Sequence, residues 1–416
     1  MHIAVIGSGI AGLGAAHVLS RAHRVEIFER EPRLGGHAHT HDVPGPHGPI
    51  AVDTGFLVFN ERTYPTFIRL LATLGVASHS TDMSFGVRCR RCGLEYASRS
   101  LSTLLAQRRR VVDPRHLRML LEIVRYFRVA RRFLASTEGY DLSLGAFLAR
   151  AHFSARLRRH FVLPMAGAIW SASFADLMQA PARTILQFYD NHGLLAASGA
   201  PPWRTVTGGS RRYVDAIAAT ISGPIHLARP VQGIARRASG VQLQTGDGET
   251  RQFDTVIIAT HADTALRLLT DPSPAEAQAL GAFRYSVNHT VLHTDTAVLP
   301  RTPRAWASWN CDLHDCRDET APVSMTYHLN PLQGLPGATQ YCVTLNGRQA
   351  PAGPVLAAMD YTHPVLDRSA IMAQARLEAL NGQRQTYYCG AHLRFGFHED
   401  GLVSALRVTE RLGATL

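Results

Sequence analysis

Residues 2–7, HIAVIG, form an unbroken apolar run, the pattern of a short strand buried on both faces. IAGLGAAHVLSRA repeats its apolar positions at helical period, and RVEIFE returns to a strand pattern that ends in Glu29. Residues 114–135, PRHLRMLLEIVRYFRVARRFLA, predict an amphipathic helix. A wheel gathers Met119, Leu120, Ile123, Phe127, Ala130 and Leu134 on one side and Arg118, Arg125, Arg128 and Arg132 on another. That Arg side reads either as the solvated face of a cap-domain helix or as a face for anionic lipid. WRTVTGGSRRYVDAIAATI (203–221) predicts a glycine turn and a helix. A buried strand follows at 256–259, before THAD opens another helix, and QYCVTLN predicts a strand. In HLRFGFHEDGLVSAL (392–406), an aromatic-Gly-aromatic turn runs into His398, Glu399, Asp400 and Gly401, then an apolar helix. Acidic residues and glycine start helices well, so this segment is either simply capped or has something docked against its first turn.

Between the first strand and helix stands GSGIAG, with Gly7, Gly9 and Gly12 at G-x-G-x-x-G spacing. In this β-α-β context Gly7 permits the tight turn, Gly9 lets the backbone approach a pyrophosphate, and Gly12 lets helix and strand pack closely. Ile10 and Ala11 open the helix whose N–H groups and dipole meet the phosphates. Glu29 is spaced to accept from a ribose diol, with Arg30 beside it. A dinucleotide is therefore expected.

With 416 residues the chain is too long for one ordinary domain, and two are expected. Its 46% hydrophobic content, 34 Gly and 22 Pro suit a globular α/β protein rich in turns. No apolar run is long enough to span a bilayer. The opening segment has no basic leader and is broken by glycines, so a cytoplasmic chain is expected, with a peripheral place on the inner membrane as the alternative. All 43 basic residues are Arg, which removes lysine Schiff bases and lysine general bases from the chemistry. The net charge of +11 suggests an acidic partner surface, but no nucleic-acid-binding signature accompanies it, and nucleic acid is not expected. Cys89 and Cys92, in CRRC, have zinc or redox spacing, and Cys311 and Cys316 could complete four ligands. Nothing in the sequence brings them together, so they read as hairpin residues and no metal is assigned. His37, His39 and His41 alternate in HAHTH and read as loop or substrate-facing residues rather than metal ligands.

REPRLGGHAHT continues from Glu29, and its Arg33, Gly35 and Gly36 resemble the Arg-x-Gly-Gly segment of the flavin amine oxidase and phytoene desaturase superfamily. That segment lies along FAD, so the resemblance implies FAD and adds these three residues to its site. The superfamily usually has Arg after the glycines, where this chain has His37. QTYYCGAHLRFGFHEDGLVSAL resembles the superfamily's closing motif, which implies that Gly390, Asp400, Gly401 and Leu402 lie at the flavin, with the helix dipole at its N1–O2 edge. Many relatives place Asp after the strand glycine, and here Ala391 follows Gly390. The implied fold is α/β: a discontinuous Rossmann-like FAD-binding domain from 1–74, 204–267 and 384–416, and an α+β substrate domain from 75–203 and 268–383, helical cap plus sheet.

DTGFLVFNERTYP, PPWRTVTGGSRRYV, IIATHAD, HTDTAVLPRTPRAWASWN, YHLNPLQGLP, MDYTHPV and GFHEDGL together resemble a bacterial family of predicted FAD/NAD-binding proteins within that superfamily. The family is often associated with cyclopropane-fatty-acid-synthase-like methyltransferases, and one branch resembles flavin desaturases of methylated phospholipid acyl chains on the route to furan fatty acids. The resemblance implies dehydrogenation of a lipid acyl chain, by hydride transfer to flavin N5, at an anionic membrane. His398 and Glu399 are the expected catalytic residues, and Phe56, Phe59 and Tyr64 the expected walls of an apolar tunnel, unless they are ordinary core. Amine oxidation, carotenoid-type desaturation or isomerisation, and a non-catalytic flavin-binding role are the alternatives. The missing Lys counts against an ordinary amine oxidase, because superfamily amine oxidases generally place one near N5.

Overall fold

The fold is seen in a computed structural model, which describes residues 1–196, 199, 201–318 and 323–416. The N-terminal pattern becomes β1 (His2–Ile6), α1 (Ile10–Leu19) and β2 (Arg24–Phe28). Three later strands join them: β3 (Ile225–His226), β4 (Thr255–Ile258) and β5 (Thr386–Tyr388). The sheet order is β3-β2-β1-β4-β5, and every pairing is parallel. Both faces are covered, which is why β1 and β4 are nearly continuous Val, Ile and Ala. The closing helix α2 (His398–Arg411) packs directly on α1. A Cβ on Gly14 would stand only 2.5 Å from Leu402 Cδ1, so the small residue sets how closely the two helices approach.

A second, mainly antiparallel sheet has seven strands, in the order 355–365, 284–293, 342–345, 324–328, 309–313, 85–89 and 95–97. One pair in it, Phe85–Cys89 with Trp309–Leu313, is parallel. Its apolar face meets a layer of helices drawn from 114–191, and Val87, Met325 and Val343 share one core with Met119, Tyr126 and Leu186. A small three-stranded sheet of 59–60, 203–206 and 78–81 lies where the chain passes between the two larger units. The whole is a mixed α/β fold.

The amphipathic segment forms the helix Pro114–Leu134, with Asp113 accepting from the Arg115 N–H and Pro114 in the first turn, where its missing N–H costs nothing. Its buried stripe differs from the expected one. Met119, Ile123 and Ala130 are buried as expected, but Tyr126 and Phe133 are buried with them, while Leu120, Phe127 and Leu134 are half-buried. Arg118, Arg125, Arg128 and Arg132 are exposed. So are Leu117 (39%), Leu121 (72%) and Val124 (48%), which follow one another at helical spacing among those arginines. Among the described residues no helix is long and apolar enough to cross a membrane.

Candidate functional site

The turn between β1 and α1 has the geometry that its glycines anticipate. Gly7 has a φ of +97°, and a Cβ there would press on the Ala259 carbonyl at 3.0 Å. A Cβ on Gly12 would fall 1.9 Å from the Gly7 carbonyl oxygen. Among the described residues, a Cβ on Gly9 would meet nothing within 4 Å beyond its chain neighbours, so the space above it is open. Gly9 also caps α1 without any side-chain hydrogen bond, and the first turn carries no acidic residue. The leading N–H groups are left for an anion.

Glu29 stands beside this turn at the end of β2. Its Oε2 accepts from the Ser8 N–H (2.9 Å) and hydroxyl (2.6 Å), and its Oε1 from the Glu31 N–H at 3.0 Å. Gly35 donates its N–H to the Ser8 carbonyl, and Gly36 packs so closely that a Cβ would lie 3.1 Å from Gly9 Cα. Arg33 is half-buried, with Nη1 on the Leu34 carbonyl, whereas Arg30 is exposed and pairs with Glu31. From the far end of the chain, Gly401 of α2 meets Ile10 and Ala11: a Cβ there would lie 3.0 Å from Ile10 Cγ2 and 3.8 Å from Ala11 Cβ. The Gly390 N–H donates to Ser404 Oγ at 2.9 Å, tying the end of β5 to α2. Both glycine motifs and both helix starts thus converge.

The three polar residues that open α2 do separate work. His398 stacks on Phe56 at 3.7 Å, with an interplanar angle of 7°, and its Nε2 is 2.7 Å from the Tyr213 hydroxyl. Burial lowers its pKa to about 3, so the ring is neutral. Glu399 accepts from the Thr66 and Phe67 N–H groups at 2.9 and 2.8 Å, capping the neighbouring helix Pro65–Thr73. Asp400 accepts from the Phe397 N–H at 3.0 Å, and burial raises its pKa to about 6. Phe56, Phe59 and Tyr64 all belong to the core around α1 and the 65–73 helix, and Tyr64 also lines a cleft.

Sequence reasoning did not single out the groups that gather around His37. Its ring lies 5.1 Å from Tyr361 and 5.4 Å from His363, both on the strand Val355–Val365, and its buried Nε2 has no hydrogen-bond partner among the described residues. His39 reaches the Tyr361 hydroxyl at 3.0 Å. Burial holds His37 well below the ordinary imidazole range, His363 at about 4 and His39 at about 3, so these rings are neutral at physiological pH. The HAHTH alternation marked one half of this group; the other half, more than 300 residues away, lies in the MDYTHPV segment, which only the family resemblance had marked.

The cleft, about 280 Å³, lies at the start of α2. Tyr64, Phe188, His192 and Phe397 line it, Phe188 stacking on His192 at 3.8 Å and on Phe397 at 4.6 Å. Arg62 and Arg394 line it as well and are exposed. Glu399 and Asp400 line the cleft too, and Arg394 Nε lies 3.8 Å from Asp400 Oδ1, so two arginines and two carboxylates share its wall.

A dinucleotide fits the residues present: open space at Gly9, unoccupied N–H groups at α1, Glu29 for a ribose and an unpartnered buried nitrogen on His37. The comparisons with known proteins agree. The profile described as flavin containing amine oxidoreductase matches residues 10–376. The putative flavin-containing monoamine oxidase AofH of Mycobacterium tuberculosis (strain CDC 1551 / Oshkosh) is 25% identical over 356 residues, 83% of this chain and 74% of that protein. Among solved structures, a CLA-producing fatty acid isomerase from P. acnes superposes with a TM-score of 0.68 at 18% identity over 98% of both chains. Cyclohexylamine oxidase from Brevibacterium oxydans IH-35A gives 0.67 at 17% identity over 99% of both. At such identities the structural likeness speaks for the fold alone. The family's cofactor is a flavin, typically FAD, and Gly7, Gly9, Gly12, Glu29 and Gly36 form the cradle in this chain that suits it. The profile spans most of the sequence: the chain belongs to the flavin containing amine oxidoreductase family and is a flavin-dependent oxidoreductase.

Proposed function

We propose that this oxidoreductase dehydrogenates an acyl chain of a membrane lipid, in the finer reading a methylated phospholipid fatty acid, while seated on an anionic membrane surface. The observation that carries the reading is the outer face of the Pro114–Leu134 helix, where exposed Leu117, Leu121 and Val124 run between exposed arginines. Such a ridge inserts its apolar side chains at the headgroup boundary, and each Arg adds about 1 kcal/mol on anionic lipid. The helix Ala182–Asn191 shares the core of this helix, the two are joined by the Arg131–Asp190 pair, and its far end supplies Phe188 to the cleft. The helix that carries the exposed ridge is thus packed against one that lines the aromatic cleft.

A flavin, when bound, accepts the hydride from a C–H bond. The chain orients it through the glycine cradle and Glu29. His398 and Glu399 are held in protein contacts, His398 by Tyr213 and Glu399 by the Thr66 and Phe67 N–H groups. Oxidation of an amine is the competing reading, favoured by the likeness to AofH. The absence of Lys from the chain counts against it, since superfamily amine oxidases generally place one near N5.

The test is anaerobic mixing of the flavin-loaded protein with vesicles of extracted bacterial phospholipid, following the flavin absorbance. Bleaching is expected, together with co-flotation of protein and vesicles that Leu117→Asp/Leu121→Asp abolishes without altering the flavin spectrum. Bleaching by small primary amines and not by phospholipid would replace this reading with amine oxidation.

A further inference from the structure

We infer a structural metal site of the zinc type, formed by Cys89, Cys92, His160 and Cys316 and separate from the flavin site. One ligand atom from each residue lies within 4.8 Å of all the others, and Cys92 Sγ is 3.2 Å from His160 Nε2. Zinc bonds of about 2.3 Å to sulfur and about 2.0 Å to nitrogen make a tetrahedron whose edges are about 3.5–3.8 Å. The four atoms thus need to close by about an ångström or less.

Three separate parts of the fold supply these ligands. Cys89 ends the strand Phe85–Cys89, and Cys92 sits in the turn that follows. There the Gly93 N–H donates to the Cys89 carbonyl at 2.9 Å and the Cys89 N–H to the Leu94 carbonyl at 2.8 Å. Gly93 has a φ of +67°, which a side chain would resist, so the C-x2-C turn is held by its own glycine. Cys316 follows the strand Trp309–Leu313, which is parallel to the first and sets Leu313 opposite Cys89. His160 comes from the helical layer, in the wide π turn Arg158–Val162, a form of helix that recurs at functional positions.

The imidazole is already oriented as a ligand. Its Nδ1 is 3.2 Å from the Arg156 carbonyl, which selects the tautomer that carries hydrogen there and turns the Nε2 lone pair toward the sulfurs. The His160 carbonyl is pinned by the Tyr96 hydroxyl at 2.6 Å. Three thiolates and one imidazole are a closed, soft, tetrahedral set, the composition of structural zinc rather than of a catalytic ion with an open position. The set carries one net negative charge with zinc, and Arg90 and Arg91 lie between its first two cysteines. Cys311, which sequence spacing grouped with the others, is buried in the sheet and takes no part; His160 stands in its place. A bound ion would staple the Phe85–Cys89 and Trp309–Leu313 strands of the seven-stranded sheet to the helical segment Arg158–Val162.

The experiment is metal analysis of the flavin-loaded protein as purified without chelator. One zinc per chain is expected, released by a mercurial thiol reagent while the flavin spectrum persists. Cobalt substituted for it should give the visible bands of a tetrahedral thiolate site. Cys92→Ser and Cys316→Ser should each lower zinc affinity about tenfold or more, and Cys342→Ser, on a strand outside the cluster, should not. The unaltered protein decides the matter should these variants fail to fold. Flavin-loaded protein that holds no zinc, iron or copper, even after incubation with zinc under reducing conditions, would overturn the site. A Cys89–Cys92 disulfide in that metal-free protein would mark the pair as a redox couple instead.

Discussion

Replacing Glu399 separates a structural carboxylate from a catalytic one. Its two oxygens each accept one backbone N–H, from Thr66 and Phe67, at the start of a helix that buries Phe67, Leu70 and Leu71 in the core around α1. Hydrogen bonds to a charged group are worth about 1.5–3 kcal/mol each, so Glu399→Ala, which orphans both N–H groups in a buried place, should cost about 3–5 kcal/mol. Glu399→Gln keeps one acceptor but turns an amide N–H toward the other donor, and should cost about half of that. At about 1 °C per kcal/mol for a chain of this length, the Ala variant should melt about 3–6 °C below the parent. The assay is thermal unfolding followed by flavin fluorescence, paired with anaerobic flavin reduction well below either melting point. With Glu399 as a cap, both variants lose stability in the order Ala then Gln, and flavin reduction in whatever remains folded changes less than about tenfold. An Ala variant that melts with the parent while reduction slows about a hundredfold would refute the cap and return Glu399 to the chemistry.

Gly9→Ala should fold normally, since its Cβ meets no protein atom, yet bind FAD about tenfold or more weakly; Gly12→Ala should fail to assemble the turn, because its Cβ would lie 1.9 Å from the Gly7 carbonyl. Limited proteolysis and FAD titration distinguish the two, and equal behaviour would refute the assignment of open space at Gly9 to the cofactor. Glu29→Ala should weaken FAD by about 1–3 kcal/mol in a titration of the apoprotein, and an unchanged affinity would remove Glu29 from the site. Asp400, raised by burial from 3.8 to about 6, ionises more readily unfolded than folded. Its stabilisation is therefore complete below about pH 4 and lost as the pH rises through about 6, a change on the order of 3 kcal/mol. Asp400→Asn should lack that loss. Asp53 is also raised to about 6 and shifts parent and variant alike, so the parent-minus-variant difference across this window is the quantity to measure, and a constant difference would refute the shift.

The β1–α1–β2 unit and its glycines were legible in the sequence because they are contiguous: the contacts that give Gly7, Gly9, Gly12 and Glu29 meaning lie within the first 36 residues or against the sheet they start. The pairing of β4 and β5 beside β1 is long-range, and it was expected only through resemblance. Helical period placed the arginines of 114–134 on one side, but a wheel cannot say which apolar residues meet a partner. The neighbouring helices chose the stripe through Tyr126 and Phe133 and left Leu117, Leu121 and Val124 outside. The residue types in FHEDG admitted both capping and a docked ligand, and packing divided them. Glu399 caps a helix more than 300 residues earlier, His398 turns to Phe56 and Tyr213, and Gly401 alone meets the start of α1. Cysteine spacing offered Cys89, Cys92, Cys311 and Cys316, whereas the parallel strands carry Cys316 to the first pair and the helical layer brings His160. Local periodicity and turn chemistry act over a few residues, so the sequence by itself determined the dinucleotide turn; which distant side chains share a ligand, a cap or a surface was decided by tertiary packing alone.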